Sequence, residues 1–145
     1  MMLLEHTQIV SKPLVEKSSD GALRLSGIVM QSEIKNKNGR IYPKQIIEGV
    51  VNKFNQAGKL VIGELNHPDN LEINLERAAI VLEKMWMEGN DCYATMRCLD
   101  TPCGNIVKSI AESGVEIGIS SRAAVKLLGK AMLMLSNLWN FSHVT

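Results

Sequence analysis

Ala78-Ala-Ile-Val-Leu-Glu-Lys-Met-Trp-Met87, then Glu88-Gly-Asn-Asp91, then Cys92-Tyr-Ala-Thr-Met-Arg-Cys-Leu99 is the stretch from which the fold is read. Two largely apolar runs flank a short block of turn formers, the pattern of two strands joined by a tight hairpin. A hairpin makes its two strands antiparallel. Just upstream, Lys59–Leu65 (KLVIGEL) is a short strand running into Asn66-His67-Pro68-Asp69-Asn70, a cluster of turn formers. Just downstream, Asp100-Thr101-Pro102 offers a helix cap with proline inside it, and Ile106, Val107 and Ile110 give the next segment a core face until Gly114. Val115–Ile119 then alternates Val, Ile and Ile with Glu and Gly, as a strand does.

Farther toward the N-terminus, Leu23–Ile34 reads as a strand and Asn36–Arg40 as a turn, with Asn38-Gly39 tolerating positive φ. Pro43 suits a first helical turn, and Ile46, Ile47, Val50, Val51 and Phe54 recur at helical spacing until Gly58. The coarse order is β-β-α-β-β-β-α-β, without internal repeats. It predicts an α+β domain around a mostly antiparallel sheet or barrel with flanking helices.

The chain has 145 residues with 46% hydrophobic content, enough for one core. Sixteen Lys+Arg against fifteen Asp+Glu leave a formal charge of +1, without the basic excess of a phosphate-tracking surface, so no nucleic-acid partner is expected. No apolar run reaches the roughly 18 residues of a membrane span, and Glu5 and His6 interrupt the apolar start, so neither membrane nor export is expected. Cys92, Cys98 and Cys103 lack the close pairing of common zinc sites and read as reduced, mostly buried thiols. With His6, His67 and His143 as the only histidines, and no P-loop or GxGxxG, no metal or cofactor is expected.

Two blocks combine reactive side chains with strand ends: Gly63-Glu64-Leu65-Asn66-His67-Pro68 and Gly118-Ile119-Ser120-Ser121-Arg122. A serine hydroxyl is a weak nucleophile until a base takes its proton, so His67 within reach of Ser120 would form a minimal hydrolase pair. Gly118 would let a substrate backbone approach, and Arg122 with local N–H groups could stabilise an oxyanion. The ordinary alternatives are a turn histidine bonding its own loop and strand-end serines bonding their own backbone. Glu64 could orient His67 or pair with a cation; a solvated strand-end carboxylate is the more ordinary fate. Trp86 is expected to fill the core beside Met85 or Met87.

Asn36-Lys-Asn-Gly-Arg-Ile-Tyr-Pro43, Gly63-Glu-Leu-Asn-His-Pro68, Lys84-Met-Trp-Met-Glu-Gly-Asn90 and Gly118-Ile-Ser-Ser-Arg122, in this order and spacing, resemble the prohead core protein proteases of tailed bacteriophages. The resemblance covers roughly residues 27–122. It implies a serine endopeptidase with the fold of herpesvirus assemblin, acting on scaffold, core and capsid proteins inside the phage prohead in the host bacterial cytoplasm. It carries the general base onto His67 and the nucleophile onto Ser120, and suggests oxyanion binding by Arg122. The third triad member has no assigned equivalent, His143 lying in a divergent tail. Assemblins dimerise, which leaves room for a homo-oligomer, although no stripe in the sequence marks an interface. A catalytically silent prohead assembly or peptide-binding module is the alternative from another class.

The expected division is an N-terminal segment (1–22), a prohead protease-like core (23–125) and a divergent tail (126–145). After Arg122 the chain departs from the family pattern, so the C-terminal strands are expected to be missing. The tail residues Met132, Leu133, Met134, Leu135, Leu138, Trp139 and Phe141 read either as a stubby amphipathic helix or as the trace of a frameshift near Lys126–Lys130, because a neighbouring reading frame permits strand-like alternation.

Overall fold

The computed structural model describes residues 2–9, 14–36, 39–65, 74–115, 117–128 and 131–143, with 2–9, 117, 119–128 and 131–143 described as backbone strands. In chain order its elements are β1 (Met2–Ile9), β2 (Leu14–Lys17), β3 (Leu23–Gln31), α1 (Lys44–Ala57), β4 (Val61–Leu65), a 3₁₀ turn (Leu75–Arg77), β5 (Ala78–Glu88), β6 (Asp91–Cys98), α2 (Pro102–Glu112), β7 (Ile117–Leu128) and β8 (Ala131–His143). Among the described residues the eight strands form one sheet in the order β1-β7-β8-β4-β5-β6-β3-β2. Five of them, β4-β5-β6-β3-β2, are consecutive antiparallel neighbours, and the set β8-β7-β1 joins them through a parallel β4–β8 pair. The α+β class and the antiparallel sheet read from the sequence are therefore present.

The hairpin at the centre of that reading closes as expected. Glu88 pairs with Asp91, leaving Gly89-Asn90 as a two-residue loop. Gly89 has φ 61°, a left-handed backbone that glycine adopts without steric cost at the first loop position. Along β6, Cys92, Ala94, Met96 and Cys98 are buried while Asp91, Tyr93, Thr95 and Arg97 are only half-buried. The period of two thus turns one face to the core. There Leu25, Val29, Ile80, Leu82 and Met96 meet Ile47 and Val51 of α1 and Val107 and Ala111 of α2. Full burial of a large aliphatic side chain is worth roughly 1.5–3 kcal/mol, which makes this layer the main source of stability.

The other face is polar and specific. Ser26 Oγ and Thr95 Oγ1 are 3.1 Å apart. Glu83 accepts from Arg24 Nε at 2.8 Å and from Arg97 Nε at 3.3 Å, and these hydrogen bonds hold its carboxyl below the usual range. Trp86 belongs here and not in the core: half-buried, it stacks on Tyr93 with ring centroids 5.9 Å apart. Met85 takes the buried position beside it, because alternation sends neighbouring residues to opposite faces.

Both helices follow their signals. Gly58 ends α1 in the left-handed region with φ 62°. Thr101 caps α2, its Oγ1 accepting from the Gly104 N–H at 3.0 Å and donating to the Ala78 carbonyl at 2.6 Å. The start of α1 holds a device the sequence did not announce. Strand β3 stops at Gln31, short of the expected Ile34, and Glu33 turns the chain with φ 61°. Its Oε1 then accepts from the Lys44 N–H at 2.7 Å, supplying the cap that Pro43 cannot and placing negative charge at the positive helix end. Asn38 lies outside the described residues; Gly39 of the same turn has φ 78° and donates to the Asn36 carbonyl.

The end stretches differ most from expectation. Where missing strands were expected after the Ser120 block, β7 runs on to Leu128 and β8 follows. The tail is no amphipathic helix, because Ala131–His143 pairs with β7 along its length and with β4 through Trp139–Phe141. Pairing with two strands outweighs local helix propensity. At the other end, Met2–Ile9 pairs with β7 from Lys126 back to Ile119, so residues from both ends enter the sheet.

Candidate active site

Strand β7 carries the Gly118–Arg122 block. The strand expected to end at Ile119 runs further, so that Ser120 and Arg122 lie not at a strand end but inside β7, paired on both sides. Ser120 is opposite Gln8 of β1 and Asn140 of β8, and Arg122 is opposite His6 and Leu138. Since successive residues alternate, Gly118, Ser120 and Arg122 share one face of the sheet. His6, Gln8 and Asn140 share it too. His143 pairs with Ile117 and falls on the opposite face from Ser120.

The second block begins in β4. Glu64 pairs with Asn140, and Asn140 with Ser120, so Glu64, Asn140, Ser120 and Gln8 form one row across four strands. Two strand spacings separate the backbones of Glu64 and Ser120, roughly 10 Å. His67 and its neighbours 66 and 68–70 lie outside the described residues. His67 is three residues beyond Glu64, a tether of at most about 10 Å of extended chain. The parallel β4–β8 pair therefore brings the strand that leads to His67 to the row of Ser120.

Glu64 corrects the expectation of a solvated carboxylate: it is 1% exposed. Its strand is interior to the sheet, flanked by β5 and β8, and a register shift between Gly63 and Glu64 sits at this residue. Such bulges re-aim side chains, often beside active sites. Its Oε1 accepts from the backbone N–H of Asn74. Asn74 in turn caps the 3₁₀ turn, its Oδ1 accepting from the Glu76 N–H at 3.0 Å. Within that turn Arg77 Nε is buried with no hydrogen-bond partner among the described residues, and Cys103 Sγ lies 3.6 Å from the Glu76 carbonyl oxygen.

The cysteines are free thiols, Cys92 and Cys98 buried and Cys103 half-buried. Burial pushes Cys92 up to about 12 and Cys98 to about 11, far from thiolate chemistry at neutral pH. Among the described residues no three His, Cys, Asp or Glu side chains gather as metal ligands, and no helix is long and apolar enough to cross a membrane. Neither Asn140 nor Gln8 was singled out in the sequence. Each stands in a strand whose partner only the tertiary register reveals.

Residues 3–140 match the family model of the prohead core protein serine protease, extending past the four blocks into both end stretches. The prohead core protein protease of Enterobacteria phage T4 is 38% identical over 105 residues, covering 69% of this chain and 50% of that protein. The chain thus spans about half the length of the curated relative it matches. Among solved structures, the bacteriophage T4 capsid assembly protease is similar with a TM-score of 0.76 at 25% identity, over 99% of this chain and 98% of that one.

Proposed function

The chain belongs to the prohead core protein serine protease family, and from that premise we propose that it is a serine endopeptidase acting on the scaffold, core and capsid proteins of a phage prohead, inside the prohead in the host cytoplasm. Ser120 is the nucleophile and His67 the general base. The imidazole takes the hydroxyl proton as oxygen attacks the scissile carbonyl, then returns it to the leaving amine as the C–N bond breaks. Water repeats the sequence on the acyl-enzyme and restores Ser120. Arg122, two residues on along the same face, supplies positive charge to the oxyanion, a type of donor worth roughly 3 kcal/mol in the transition state.

The observation that supports this reading best is the row Glu64–Asn140–Ser120, which sets the strand leading to the histidine two strand spacings from the strand bearing the serine, with β8 between them. Incubated with the scaffold and capsid proteins of its own prohead, the chain should cut them, and Ser120→Ala should leave them intact. Binding without cleavage by the unaltered chain would instead mark a silent assembly module.

A further inference from the structure

Strand β5 outruns one of its neighbours. Among the described residues it pairs with β4 only over Ala78–Leu82, and from Lys84 to Glu88 its strand partner is β6 alone. The two-residue loop makes Glu88–Asp91 a hydrogen-bonded pair, and alternation makes Met87–Cys92 and Met85–Ala94 the pairs whose main-chain groups point away from β6. The Asn55 side chain of α1 meets that outward edge, its Nδ2 lying 3.5 Å from the Met85 carbonyl oxygen. Between α1 and the edge lies an open groove of about 340 Å³, lined by Glu48, Val51, Asn52, Asn55, Trp86 and Met87. We propose that this groove takes an extended peptide of a partner protein as one added antiparallel strand, with Lys or Arg opposite Glu88, an apolar residue opposite Met87 and an aromatic or β-branched residue opposite Trp86.

The edge, the walls and the charge select that occupant. An unpaired strand edge is a template for another chain, and the outward N–H and C=O of Met87 exchange two bonds with a single residue laid opposite. Asn55 closes the groove at Met85 and α1 walls it along its length, so one strand fits where the broad sheet edge of a second copy does not. By alternation the residue opposite Met87 shares the face of Met85 and Val51, both buried, where an apolar side chain gains contact. Its two neighbours fall on the other face, which Trp86 and Glu88 share, the indole Nε1 donating to Glu88 Oε1 at 3.4 Å. Trp86 already stacks on Tyr93, so an aromatic or β-branched residue opposite it extends a cross-strand row. Glu48 and Glu88 put two exposed carboxylates beside the Met87 end, and Glu48 reaches its one cation, Lys44, only at 4.0 Å. A basic residue at that end answers both.

The test uses the full chain carrying Ser120→Ala, which keeps a peptide intact whichever way the catalytic reading falls, and the probe acetyl-Ser-Lys-Val-Tyr-amide at millimolar concentration. Hydrogen–deuterium exchange read by NMR should show the Met87 amide slowed at least tenfold by the probe, with Trp86, whose N–H already faces β6, unchanged. Replacing the lysine of the probe by glutamate should weaken binding at least fivefold, and Glu88→Lys, a change at an exposed position, should reverse that preference. The two probes decide by themselves if Glu88→Lys does not fold. An unprotected Met87 overturns the proposal, as does protection at the β2 edge around Val15 in its place. Binding that ignores the exchange of lysine for glutamate overturns it too. Cleavage by the unaltered chain bears on Ser120 alone, so a failure of either reading is told apart from a failure of the other.

Discussion

At the residue scale, burial decides what the reactive groups can do. The three thiols were legible from sequence as reduced and mostly buried, since no spacing paired them and free cysteine packs as a small hydrophobe. Iodoacetamide at pH 8 should therefore modify Cys103 in the native chain and reach Cys92 and Cys98 only after unfolding, as counted by intact mass. The raised thiols also set a pH slope. An unfolded cysteine ionises near 8.5, whereas Cys92 holds its proton up to about 12 and Cys98 up to about 11. The folded state binds more protons in this window, so their contribution is full below about 8.5 and falls as pH rises through it. Urea midpoints measured from pH 8 to 10.5 should decline, and less steeply in Cys92→Ala. Glu64 was not legible in the same way: as a strand-end carboxylate it read as solvated, because its second neighbour, β8, comes from a distant tail.

At the element scale, local signals predict local structure. The Gly58 stop, the Thr101 cap and the Gly89 loop each depend on a few neighbouring residues, and each is found where the sequence puts it. Glu33 capping α1 escaped notice because the cap comes from eleven residues upstream and a turn delivers it. The tail escaped for a related reason: Met and Leu repeats suit a helix in isolation, and only β7 and β4 make them a strand. Two glycines with opposite surroundings test how closely elements pack. A Cβ on Gly104 would sit 2.0 Å from the Leu99 carbonyl oxygen and 2.9 Å from that of Ala79, both backbone atoms. Gly49, inside α1, would meet nothing within 4 Å. Gly104→Ala should thus cost about 1–3 kcal/mol or more, and Gly49→Ala should stabilise by roughly 0.5–1 kcal/mol. Denaturant unfolding of the two variants should show opposite signs.

At the scale of the whole molecule, the site depends on a connection between distant parts of the chain. Hairpin β5–β6 and its antiparallel neighbours were readable because they are near in sequence or strongly patterned. The parallel β4–β8 pair was not, and it is what sets Glu64 in the row of Ser120. His67 and Ser120 could be nominated from four motif blocks together, none of which sufficed alone. Arg122 also falls on the Ser120 face, whereas His143 falls on the other, which a linear reading of the tail could not distinguish. The measurement that bears most directly on the account is mass-spectrometric mapping of a fluorophosphonate adduct on the intact chain. The adduct should sit on Ser120 and drop by orders of magnitude in His67→Ala; an adduct on another residue, or undiminished labelling without the imidazole, would contradict it.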